Sequence, residues 1–159
     1  MSYERVKSYF ERVGLGDRIT VHDEVGDTVE HAAAMLGCEP ARIAKTMSFL
    51  LDSGPILIVS AGDAKVNSSK FKAFFHQKAV MIPWDEVNVL IGHEPGGVCP
   101  FAVNSNVKVY LDISLKRFSD IYAAAGDLNS TVHLTLDELV DNSGMADWVD
   151  LCKGWLINE

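Results

Sequence analysis

Apolar residues at Val6, Tyr9, Phe10 and Val13 recur three and four apart, which predicts an amphipathic helix over residues 3–13 that stops at Gly14-Leu-Gly16. Arg18-Ile-Thr-Val-His22 reads as a short strand. Asp27-Thr28 offers an N-cap for an alanine-rich helix from Val29 to Leu36, which Gly37 closes. Pro40, favoured at the first helical position, predicts a further helix through Ala41-Arg-Ile-Ala-Lys45. Thr46–Leu51 and Pro55–Ser60, joined by the turn Asp52-Ser-Gly54, predict paired strands, the second apolar enough to be buried on both faces. Asn67-Ser-Ser caps a helix from Lys70 to His76, and its stripe of Phe71, Phe74 and Phe75 suits a core. Ala79–Ile82 is a further short strand, and Asp85–Leu90 a helical turn or two. Val107–Leu111 alternates like a half-exposed strand and leads into a helical turn ending at Phe118. Ile121–Ala125 and Thr131–Leu134 are strands, and Thr135 caps a helix from Leu136 to Val140. From Met145 to Leu156 two tryptophans stand seven residues apart, as on one face of a helix. About seven short strands, mostly separated by helices, predict an α/β or α+β fold: a mixed, partly barrel-like sheet with helices outside.

With 159 residues, 48% of them hydrophobic, the expectation is a single domain over 1–159 with a sizeable core. The N-terminus is charged and amphipathic, unlike a signal peptide. The longest apolar run, Pro55–Ala61, is too short for a bilayer, so no membrane partner is expected. Cys38, Cys99 and Cys152 are odd in number and lack metal-ligand spacing. They read as reduced thiols in a cytoplasmic protein, with no metal and no cofactor. The formal net charge of −8 argues against DNA and against a broad grip on any polyanion; a nucleic-acid contact here must be small and local.

Three stretches carry candidate chemistry. Gly92-His-Glu-Pro-Gly-Gly-Val-Cys-Pro-Phe101 sets two adjacent glycines between two prolines. It is either a tight turn or a stiff pocket wall whose bare backbone N–H groups a ligand can approach. Lys45 stands among apolar neighbours, so its ammonium either snorkels to water or has a task. Ala61-Gly-Asp-Ala-Lys-Val-Asn67 follows a buried strand and precedes a helix, where α/β folds display polar groups, although strand-to-helix capping explains it equally. It lacks P-loop spacing. His93 and Cys99 do not make a thiol nucleophile, because six residues of separation in one loop supply neither an activating base nor an oxyanion site.

Taken in order, Ala41-Arg-Ile-Ala-Lys-Thr-Met-Ser-Phe49, Val59-Ser-Ala-Gly-Asp-Ala-Lys-Val-Asn67, the Gly92–Phe101 loop and Val109-Tyr-Leu-Asp-Ile-Ser-Leu115 resemble the motifs of the YbaK/EbsC and prolyl-tRNA synthetase-associated editing domains, from roughly Thr28 to Leu139. The resemblance implies a trans-acting deacylase that hydrolyses the ester of a small amino acid mischarged on tRNA, alanine or cysteine on proline tRNA, with alanine favoured. Its partners would be the tRNA acceptor end, bound weakly, and a synthetase that could lend affinity. On this resemblance Lys45 faces the terminal adenosine and the ester, and is the catalytic candidate. Gly96 and Pro100 match a G-x-x-x-P loop that shapes the amino-acid pocket. Thr46, Gly62, Asp63, Lys65, His93, Gly97, Val98, Cys99 and Phe101 complete the substrate-binding candidates. Asp112 falls in a motif of structural character. The family usually has glycine where this chain has Ala102, which is expected to narrow the pocket or shift the loop. No protein general base is evident, so the substrate's own ribose hydroxyl, or its thiol if it is cysteine, would serve. The competing expectation is a non-catalytic amino-acid- or nucleotide-binding module, or a synthetase-associated regulatory module, on the same fold.

Overall fold

In a computed structural model, which describes residues 2–156, helix α1 (Ser2–Arg12) buries Val6 and Phe10 completely. Strand β1 (Ile19–Val21) precedes α2 (Val29–Leu36), where the Thr28 hydroxyl accepts from the His31 N–H and Gly37 closes the helix with φ 67°. Next come β2 (Ile43–Leu51), β3 (Gly54–Ala61), β4 (Lys65–Val66) and α3 (Ser68–Phe75), capped by Asn67. Helix α4 (Val87–Ile91) leads into the Gly/Pro loop. After it lie β5 (Lys108–Asp112), β6 (Asp120–Ala124), β7 (Ser130–Thr135), α5 (Leu136–Ser143), β8 (Asp147–Val149) and β9 (Cys152–Lys153).

Seven strands form one mixed sheet in the order β1-β7-β6-β2-β3-β5-β8, an open α/β arrangement and not a closed barrel, while β4 and β9 make a separate ribbon. The β2–β3 hairpin is antiparallel over eight pairs, from Ala44↔Ala61 to Leu51↔Gly54. Strands β6, β5 and β8 join in parallel. The central strand β3 explains its unbroken apolar run. Leu57 and Val59 face the core under α1 and the Gly/Pro loop, whereas Ile56 and Ile58 face Phe71 of α3.

Three sequence expectations fail. The helix from Pro40 shrinks to a 3-10 turn, Pro40–Arg42, because Ile43 and Ala44 are drawn into the ladder with Tyr122 and Ala123 of β6; Lys45 therefore lies inside a strand. Residues 79–82 form only one bridge, Phe49↔Met81. The tail is not helical: β8 extends the main sheet and β9 pairs with β4, so Trp148 and Trp155 part company beneath the cations of Lys116 and Arg117. The phenylalanine stripe holds in part, with Phe71 fully buried and Phe74 left 45% exposed at the edge. Among the described residues no helix is long and apolar enough to cross a membrane, and no group of three or more His, Cys, Asp or Glu could hold a metal.

Candidate functional site

Strands β2 and β6 pair at only two positions, Ile43↔Tyr122 and Ala44↔Ala123, and then diverge. A cavity of about 240 Å³ fills the opening. Its walls are Ile43–Thr46 of β2, Tyr122–Ala124 of β6, Ser130 and Thr131 of β7, Asp127 and Leu128 of the β6–β7 turn, Gly26–Val29, Ala32 and Met35 at α2, and Gly96 and Val98 of the Gly/Pro loop. Lys45 and the loop, fifty residues apart in sequence, thus face one cavity.

Strand alternation sends the Lys45 and Thr46 side chains to opposite faces of the sheet. Burial pulls the Lys45 ammonium below its ordinary range, Lys65 adds to this by repulsion, and Asp63 and Glu30 act weakly the other way. Asp63 is engaged elsewhere, in a two-pronged pair with Arg117 at 2.6 and 2.9 Å. Cys152 provides no counter-charge at neutral pH, because burial pushes its thiol up to about 12. Opposite Lys45 in the hairpin, Ser60 is fully buried, and among the described residues its hydroxyl has no partner of normal hydrogen-bond geometry; the Cys152 thiol lies beside it.

The backbone at Thr46 is equally placed for a ligand. Even-numbered residues of β2 direct their N–H and C=O groups away from β3: the Ile82 N–H donates to the Ser48 carbonyl at 3.2 Å, and the Leu50 N–H donates to the Val80 carbonyl at 2.9 Å. Ala44 sits in the β6 ladder. Thr46 falls between these two sets, so the two-residue period turns its N–H and C=O to the cavity with no described strand opposite.

The loop wall is held from behind. A Cβ on Gly97 would lie 2.2 Å from the Gly126 carbonyl oxygen, so only glycine permits this approach of two backbones. His93, Cys99 and Phe101 are fully buried and do not line the cavity. His93 Nε2 lies 2.6 Å from the Phe101 carbonyl, which can only accept, so Nε2 carries the proton and Nδ1 accepts from the Ser2 hydroxyl at 2.7 Å. Cys99 Sγ does approach His93 Nε2, at 3.5 Å, but burial pushes its thiol up to about 12 and holds the imidazole neutral, so no thiolate forms. Arg5 ties α1 to the same loop through the Gly92 and Ala102 carbonyls.

The other sequence candidates are scattered. Pro100 is buried behind the wall, and Gly62 packs so closely on the Pro40–Arg42 turn that a Cβ would meet the Pro40 oxygen at 2.0 Å. Asp63 and Lys65 are surface residues beyond the end of β3. Asp112 is wholly buried and structural in its contacts, accepting from the Ser114 and Leu151 N–H groups at 3.0 and 2.8 Å. Ala102 is absent from the cavity lining and borders a separate recess beside Arg5, so its methyl does not narrow the site. Its φ of 52° lies in the left-handed region that favours glycine. Sequence reading missed Asp27, Tyr122, Asp127 and Leu128; Asp27-Thr28 and Gly126-Asp127 were visible as cap and turn signals, and these punctuation residues also form the rim. A second recess of about 290 Å³ adjoins through Thr46, Gly96 and Val98, with Trp84 on its border 73% exposed.

The family profile described as the aminoacyl-tRNA editing domain matches residues 23–142, which include Lys45, the loop and every residue that lines the first cavity. The chain belongs to the aminoacyl-tRNA editing domain family. It is 42% identical to the uncharacterized protein YwhH of Bacillus subtilis (strain 168) over 98% of this chain and 99% of that protein. It is 30% identical to a proline--tRNA ligase of Bacillus licheniformis over 77% of this chain but only 21% of the ligase, so it spans about a fifth of that enzyme. Among solved structures, a candidate trans-editing enzyme for prolyl tRNA synthetase superposes with a TM-score of 0.86 at 27% identity, covering 96% of this chain and 98% of that one. A hypothetical protein, APE2540, gives 0.83 at 27% identity over 94% and 99%. Within this editing-domain chain, α1, β1, β8 and β9 lie outside the matched segment, yet α1 braces the loop.

Proposed function

We propose that the protein hydrolyses, in trans, the ester that joins a small wrongly attached amino acid to tRNA, with alanine or cysteine on proline tRNA as the substrate and alanine preferred. The observation that carries this reading is the shared cavity: Lys45, the unpaired backbone edge at Thr46 and the Gly96–Val98 wall converge on about 240 Å³, below the usual range of drug-sized pockets. Water attacks the ester carbonyl carbon, and the Thr46 N–H is placed to donate to the resulting oxyanion. The Lys45 ammonium holds the negative charge of the terminal nucleotide or of the developing intermediate. Collapse breaks the bond to the ribose oxygen, which leaves as a hydroxyl with the proton taken from water, and free amino acid and tRNA result. The neighbouring ribose hydroxyl relays that proton. Among the described residues no imidazole lines the cavity, and of the two carboxylates that do, Asp127 accepts from the Asn129 N–H and the Ser130 hydroxyl, while Asp27 is shared with His31. These carboxylates make a negative rim suited to the substrate's α-ammonium group. Apolar Ala32, Met35, Val98 and Leu128 leave room for a short side chain, and each added methylene changes discrimination by about 1–3 kcal/mol.

The test is a panel of tRNAs charged with alanine, cysteine, serine or threonine, with Lys45→Ala as the control. Turnover of Ala-tRNA(Pro) that falls about 100-fold or more in Lys45→Ala is the expected result. No turnover on any charged tRNA, with ligand binding intact, establishes the non-catalytic module instead.

A further inference from the structure

We propose that Lys65 and Lys153 form a two-lysine grip for the RNA sugar–phosphate backbone beside the cavity, engaging the acceptor strand whose end carries the ester. This inference names a contact surface for the tRNA of the proposed function and rests on that reading. The ribbon β4–β9 has two rungs, and one of them sets Lys65 directly against Lys153, with both side chains exposed. Directly opposed residues of an antiparallel pair carry their Cβ atoms about 5 Å apart, and like charges there repel. Nothing among the described residues relieves the repulsion by an ion pair. The nearby carboxylates are engaged elsewhere, Asp63 by Arg117 and Asp150 by Lys70 at 3.2 Å.

The ribbon itself is firmly seated. Cys152, on its other rung, is fully buried, the Asn67 N–H donates to the Leu151 carbonyl at 2.7 Å, and the Leu151 N–H donates to buried Asp112. Two lysines are therefore held side by side on a fixed base in a protein of net charge −8. A phosphate between them replaces repulsion with two attractions. The position also suits the substrate, because Val66 of the ribbon packs against the same apolar cluster as Met47, which shares a face of β2 with the cavity-lining Lys45, and the Lys65 charge acts on the Lys45 ammonium.

The experiment measures binding of uncharged tRNA by the full chain across a salt series, for the wild type, Lys65→Ala/Lys153→Ala, and Lys72→Ala/Lys78→Ala. The last pair removes the same charge from exposed lysines elsewhere. Each phosphate contact contributes about 0.7–0.9 to the slope of log K against log salt, so the first double variant should lose about 1.5 from that slope while the second keeps it. Melting of Lys65→Ala/Lys153→Ala should be unchanged or raised, since a repulsive pair is gone. A wild-type slope in that variant, or an equal loss in Lys72→Ala/Lys78→Ala, overturns the grip. The readout does not involve ester hydrolysis, so a tRNA-binding protein that turns over no charged tRNA would refute the proposed activity and leave the grip standing.

Discussion

Replacing Gly97 with alanine should damage both stability and turnover. The added methyl would lie 2.2 Å from the Gly126 oxygen, 2.5 Å from its carbonyl carbon and 2.8 Å from the Asp127 nitrogen. Comfortable contact begins near 3.5 Å, so the two backbones must part by about 1 Å. Gly126 cannot retreat, because a Cβ there would meet the Ser2 oxygen at 2.7 Å and Tyr3 Cα at 2.8 Å: the turn is pressed between the loop and the start of α1. The displacement therefore falls on the segment carrying Gly96 and Val98, which lines the cavity. Overpacking of this kind costs about 1–3 kcal/mol. In a chain of this length that lowers the melting temperature by about 3–10 °C. A wall misplaced by about 1 Å reduces single-turnover deacylation by about 100-fold. Thermal melts and single-turnover assays on the same preparation test both. A melting temperature within about 1 °C of wild type, with turnover within threefold, would refute the claim that this approach of backbones sets the wall.

Ala102→Gly should act oppositely, raising stability by about 0.5–1 kcal/mol with little change in turnover, because left-handed alanine costs more than the extra chain entropy of glycine; a destabilised variant in denaturant titration counts against this. Burial holds His93 below its ordinary pKa, so the unfolded chain binds the extra proton. Its contribution is therefore complete above about pH 6.5 and lost as pH falls from there towards the folded value. His31, raised by Glu24 and Asp27, acts in the opposite sense but is solvent-screened, so melts between pH 8 and 5 should show a net decline; a flat or rising curve contradicts the buried neutral imidazole. Cys99→Ser should keep turnover within about threefold once corrected for folded fraction. Its abolition in a folded variant would make the thiol a participant.

Local signals were the most legible part of the chain. Thr28, Asn67 and Thr135 cap the helices assigned to them, and the β2–β3 hairpin follows its apolar runs. The motif order placed Lys45 and Gly96 in one site, and they do line one cavity. What escaped depends on contacts between distant residues. Proline at position 40 starts a turn whether or not a helix follows, and the β6 ladder decided against the helix. The seven-residue spacing of Trp148 and Trp155 is compatible with a helix, but edge pairing to β5 and β4 claimed the intervening residues for strands. The spacing of His93 and Cys99 already argued against a thiol nucleophile, but the motif kept both as substrate-binding candidates, and it took burial to reveal them as loop fasteners. The rim carboxylates Asp27 and Asp127 could not be matched from sequence, being a hundred residues apart.

The two-rung join of β2 to β6 has a mechanical corollary. Because the hollow lies in mid-sheet, each half keeps its own fastening, β2 to β3 and β6 to β7, and among the described residues the strand ladder between the halves is limited to Ile43–Tyr122 and Ala44–Ala123, with the Arg42–Asp120 ion pair beside it. With so few rungs of ladder across the seam, the width of the hollow depends on how the side chains of the two halves pack, so substitutions remote from the hollow are expected to alter its clearance.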